Sequence, residues 1–191
     1  VPEGRTAGVE TDPDVARLKA SARLVDVVTA AVRAYERPPE EELSIQTPWG
    51  TAWIGPSEWA EAFAAVEPGT THNEARAAVW ESVLDILSDQ FDAEVPPHLL
   101  RRALAQHRGL TRTFTRAWPV LDPAGVVADL WSVPAYLRLH APWLEDAELR
   151  ALTRADGRAW TTADLPYLDA ARHLIGDPDA ARIARRRAVA L

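Results

Sequence analysis

The chain has 191 residues, 47% of them apolar, and a net charge of −7, which suits one domain or two small ones around a buried core. Without cysteine it has no disulfide and no thiolate metal or redox site, and no run approaches the roughly 18 apolar residues of a membrane span. The acidic balance argues against a general nucleic-acid binder, whose phosphate contacts need clustered Lys and Arg.

Residues 1–100 carry 7 basic and 18 acidic side chains, and residues 101–191 carry 14 and 10, so the two halves offer surfaces of opposite sign. Val1 to Glu10 is polar, holds Pro2, Gly4 and Gly8, and reads as a disordered lead-in rather than a signal peptide. A cysteine-free chain without a leader fits the cytoplasm. It also lacks methionine, and is expected to be a piece of something longer. Asp12 and Pro13 open a short helix, since proline suits the first helical position. Leu24 to Tyr35 follows as an amphipathic helix stopped by Pro38 and Pro39. Leu43 to Gly55 changes to period two around Pro48, Trp49 and Gly50 and predicts a hairpin. Its tip offers Trp49 to a partner, or the hairpin is a flap packed on helices. Gly55-Pro56-Ser57-Glu58 resembles a nucleophile elbow only faintly, lacking the final glycine, and Ser57 is read as the N-cap of a helix over 58–66.

Thr71 to Phe91 has the strongest periodicity. Thr71 and Glu74 stand at capping-box spacing. Ala75, Val79, Val83, Ile86, Leu87 and Gln90 form one face, and Glu81, Asp85 and Asp89 form an acidic strip. Ser88 to Pro97 is an acidic turn with Asp89, Asp92 and Glu94, but no glycine shapes it into a calcium loop. A helix over 97–107 is expected to break at Gly109 and resume over 110–118. Arg101, Arg108, Arg112 and Arg116 then lie near one face as a basic strip. Asp122-Pro123 opens the next helix, short helices follow over 134–139 and 145–153, and Thr161 or Thr162 caps a segment that Gly176 ends. Pro178 to Leu191 reads as a further helix.

Chemistry-bearing motifs are absent from this pattern. The single lysine, Lys19, follows no phosphate-cradling glycine loop. His72, His98, His107, His140 and His173 are scattered without zinc-ligand spacing and read as surface or cap histidines. The expected architecture is mainly α: a single multi-helix domain over 11–191 with one small β-hairpin near 43–55.

Five phrases go further: Thr11-Asp12-Pro13-Asp14-Val15-Ala16-Arg17-Leu18-Lys19, Thr71-His72-Asn73-Glu74-Ala75-Arg76, Ala117-Trp118-Pro119-Val120-Leu121-Asp122-Pro123, Ala141-Pro142-Trp143-Leu144 and the run from Trp160 to Ala170. In this order they resemble a region of actinobacterial HelD-type proteins, helicase-like ATPases of superfamily 1 related to UvrD and Rep. Ala170 departs from the glutamate that family often has there. The resemblance implies an insert between the Walker A and Walker B motifs of a larger ATPase. The parent would bind ATP and Mg and release RNA polymerase from nucleic acid, with the insert bracing the polymerase primary channel. None of the family's ATPase residues falls in this stretch, so no catalytic residue, cofactor or metal is expected here. The partner-facing candidates are Trp49, Asp85, Asp89, Asp92, Glu94, Arg101, Arg108, Arg112 and Arg116. The partners implied are core RNA polymerase, the rest of the parent chain and, through the parent, DNA, with no membrane. The alternatives are a nucleic-acid-contacting helicase accessory domain using the arginine strip, and a small enzyme with a polar pocket.

Overall fold

Proline sets where many of these helices begin. It occupies the first or second position of six of them, where its missing N–H has no intrahelical partner to lose. The structure, a computed structural model, describes residues 7–179. In chain order it has α1 (Pro13–Lys19), α2 (Ala22–Arg33), β1 (Leu43–Thr47), β2 (Gly50–Ile54), α3 (Pro56–Ala64), α4 (His72–Ser88), α5 (Pro97–Gln106), α6 (Arg108–Ala117), α7 (Pro123–Ser132), α8 (Pro134–His140) and α9 (Asp146–Leu152). A 3₁₀ turn (Thr162–Asp164) then leads into α10 (Leu165–Ile175). The protein is thus mainly helical with one antiparallel hairpin, as the periodicity predicts. The helix expected over 178–191 lies outside the described residues save its first two positions. Where the sequence suggests one domain, the chain divides into two compact units: residues 7–34 with 121–178, and residues 35–120.

In the first unit α10 packs on α2 and α7. Leu24, Val28 and Ala31 of α2, Val127 and Trp131 of α7, and Tyr167, Ala171 and Ile175 of α10 are buried, with the Trp131 and Tyr167 rings edge to face at 5.0 Å. The first described residues belong to this packing rather than to a disordered lead-in. Gly8 donates to Trp160 O (2.9 Å) and accepts from Thr162 N (2.8 Å), and residues 1–6 lie outside the described range. Asp164, fully buried, is the hub. Its Oδ1 lies 2.8 Å from the buried Lys19 ammonium, and its Oδ2 accepts from Arg154 (3.0 Å) and Thr161 N (2.8 Å). A charge taken out of water holds only when so paired. The Tyr167 hydroxyl donates to Lys19 O at 2.9 Å; burial, then the Asp164 charge, pushes its pKa upward.

The second unit is built around α4, which buries Ala75, Val79, Val83, Leu84 and Leu87 against the hairpin, α3 and α5. Ile45, Ile54, Trp59, Leu104, Leu110 and Phe114 complete the core. Glu74 returns to Thr71 as the capping box requires. The predicted helix to Phe91 stops at Ser88, with Asp89 as its C-cap. Two starts differ from expectation. The cap of α3 is Gly55, whose N–H donates to Glu58 Oε2 (2.9 Å), and Ser57 sits inside the helix, because proline at 56 takes the first helical position. The break between α5 and α6 falls at His107, whose Nδ1 accepts from Leu110 N (3.2 Å); Gly109 lies within the first turn of α6.

His72 is neither on the surface nor a cap. It is buried, with Nδ1 2.9 Å from Glu36 Oε1 and Nε2 2.7 Å from Pro119 O. Trp118 stacks on the ring at 5.1 Å and donates its indole N–H to His72 O at 2.9 Å.

Candidate functional site

The hairpin turn holds two residues, Pro48 and Trp49, between the paired Thr47 and Gly50. Thr47 Oγ1 donates to Gly50 O (2.8 Å) and accepts from Trp49 N (3.2 Å). Gly50 takes φ +139°, open to glycine and strained for other residues. Trp49 is 38% exposed and Trp53, on the outer face of β2, 52%. An indole left in water by a fold that buries others is an interface candidate. The alternation that buries Ala52 and Ile54 places Trp53 on the opposite face, a signal in the sequence that could have marked it.

Gln90 joins β2 to the acidic turn. Its amide oxygen accepts from Trp53 N (2.9 Å) and its amide nitrogen donates to Trp53 O (2.7 Å). One side chain thereby pairs with an edge position that β2 would otherwise leave open, so Gln90 is no part of the apolar face of α4. Asp89, Asp92 and Glu94 are exposed beside it. Asp85 is not available in the same way. Arg101 donates to its Oδ1 at 2.5 Å and also pairs with Glu81, so the acidic strip of α4 is partly neutralised by α5.

That pairing removes Arg101 from the basic strip. Arg108, Arg112 and Arg116 remain together, all exposed, on one face of α6. With Thr111, Thr115, Ala105 and Gln106 they line an open hollow of about 610 Å³. Arg76 braces the helix from behind, donating from Nε to Trp118 O (2.9 Å) and lying 4.8 Å over the Phe114 ring. From Val95 to Leu121 the sequence contains no Asp or Glu at all, a signal that a simple count by halves conceals.

The buried titratable groups, His72, Lys19 and Asp164, are each spent on bonds that close a unit. Among the described residues no three His, Cys, Asp or Glu side chains converge as a metal site requires, and no helix is long and apolar enough to cross a membrane. No protein-family model matches the chain, and no curated protein matches it significantly.

Proposed function

We propose that this chain is a non-catalytic docking module whose partner is core RNA polymerase, acting within a HelD-like ATP-dependent transcription-recycling factor and bracing the polymerase primary channel. The observation that carries this reading is the Gln90 clamp, which ties exposed Trp53 to the turn that carries the exposed Asp89, Asp92 and Glu94, on the hairpin whose tip holds the exposed Trp49. Exposed aromatic anchors on an acidic surface suit a basic protein groove: the rings contribute affinity and the charges speed and orient the encounter. The choice of partner rests on the resemblance. On this reading ATP and Mg belong to the rest of the parent, and the protein works in the cytoplasm.

The test is capture of purified core polymerase by the 191-residue chain across a salt series. Binding should weaken as salt rises, and W49A/W53A should weaken it by about 30-fold or more, since a truncated hot-spot residue costs about 2 kcal/mol. D89N/D92N/E94Q should slow association and flatten the salt dependence. No capture at low salt would refute the proposal.

A further inference from the structure

We propose, resting on the docking reading above, that the outer edge of β2 receives an extended basic segment of the partner. The segment joins the hairpin as a third, antiparallel strand, in place of the Gln90 side chain. The sheet has two strands. β1 packs against α5 and α6, and the far side of β2 is the open edge. Along an antiparallel pair the backbone groups of successive residues alternate between the partner strand and the edge. Trp53 turns both of its groups to the edge, where the Gln90 amide takes them at 2.9 and 2.7 Å. Thr51, two positions back and opposite Gln46, therefore turns its N–H and C=O outward as well. The next outward position, Gly55, is closed: its N–H donates to Glu58 and its carbonyl accepts from Trp59 N. The edge thus offers Thr51 and Trp53. At Trp53 a side-chain amide, one donor beside one acceptor, stands in for the peptide group of a neighbouring strand.

The surroundings select what replaces that amide. Side chains of an added strand would alternate between the outer face, beside the exposed Thr51 and Trp53, and the inner face, beside the buried Ala52 and Ile54. On the outer face they meet an exposed indole, which attracts a cation. Asp89 and Asp92, which flank Gln90 in sequence, are exposed and add negative potential. On the inner face apolar side chains fit. The occupant is then an extended run that alternates Lys or Arg with Val or Ile, held by main-chain hydrogen bonds and chosen by its side chains. A second copy of β2 fits poorly, because pairing the two edges would bring two acidic turns together.

The probe is a short peptide of alternating lysine and valine, fluorescein-labelled and amidated, titrated with the 191-residue chain by fluorescence anisotropy. It should bind, and amide exchange followed by NMR should show the Thr51 N–H becoming protected. Because Gln90 competes for the site, Gln90→Ala should tighten binding about fivefold, the equivalent of one net hydrogen bond; a residue that only shapes the hairpin would weaken it. The lysines lie opposite Thr51 and Trp53, so their amides face β2 and the valine amides face away. N-methylation at the lysines, which leaves the protein and the peptide charge untouched, should weaken binding about 30-fold, the loss of two such bonds. N-methylation at the valines should not. The proposal is overturned if the unmodified peptide does not bind, if both N-methylated peptides bind alike, or if Gln90→Ala binds more weakly. It is also overturned if Gln90→Ala dimerises in sedimentation equilibrium, which would make a second copy the occupant. Peptide binding without capture of core polymerase would remove the polymerase as partner and leave the edge site standing; capture without peptide binding would remove the edge site alone.

Discussion

His72 bonds through both ring nitrogens to oxygens: Pro119 O has no proton to give, so Nε2 donates there, and Nδ1 lies 2.9 Å from Glu36 Oε1. Removing the ring strands a carbonyl and a carboxylate and unseats Trp118. We expect His72→Ala to cost about 3 kcal/mol in urea unfolding, and His98→Ala, at an exposed position of α5, to stay within about 0.5 kcal/mol. Lys19→Met should cost about 3–5 kcal/mol, the toll of leaving a buried carboxylate short of its cation; a loss below about 1 kcal/mol would mean that Arg154 alone satisfies Asp164. Gly157 is a purely steric case. A Cβ there would lie 2.2 Å from Ala128 O, a backbone atom of α7. Gly157→Ala should therefore destabilise by about 3 kcal/mol, near the upper end for overpacking, with a clear fall in thermal midpoint as the readout.

Local signals carry the elements. The α4 capping box, the proline starts and the hairpin were legible because each depends on residues a few positions apart. Where local signals compete, the reading errs: Ser57 looked like a cap, but proline at 56 had already committed that position to the helix, and Glu58 bonds back to Gly55. Hydrogen bonds from its own and the Gly55 amide hold Glu58 below the usual carboxylate range. A depressed folded pKa contributes stability that is present at neutral pH and lost as pH falls through the lowered value. The stability difference between wild type and Glu58→Gln should thus be largest near neutrality and shrink in acid; urea midpoints across a pH series would show a constant difference if the cap contributes nothing. Of the candidate surface residues, the place of Trp49 in a turn and the four-residue spacing of Arg108, Arg112 and Arg116 were readable from the sequence, while the alternation left a protruding tip and a packed flap both open. The capture of Arg101 by α4 and the grip of Gln90 on Trp53 were not readable, since their partners lie 16 to 37 positions away.

At the scale of the molecule, four of the five phrases that carry the resemblance meet in pairs, one pair within each unit. The phrase at 71–76 meets that at 117–123 through His72, Arg76 and Trp118. The phrase at 11–19 meets that at 160–170 through Lys19, Asp164 and Tyr167. These are polar joints closing two separate cores, so what the phrases encode most directly is architecture. The candidate surface residues lie outside these phrases, at the hairpin tip, along the end of α4 and the acidic turn, and on α5 and α6. If each joint closes its own unit, damage should stay local. Hydrogen exchange followed by mass spectrometry should find that His72→Ala lowers amide protection in α3, α4 and α6 far more than in α2, α7 and α10, and that Lys19→Met does the reverse. Uniform loss of protection across all six helices in both variants would mean that the chain opens as one cooperative body, and the division into two units would fail as a statement about its energetics.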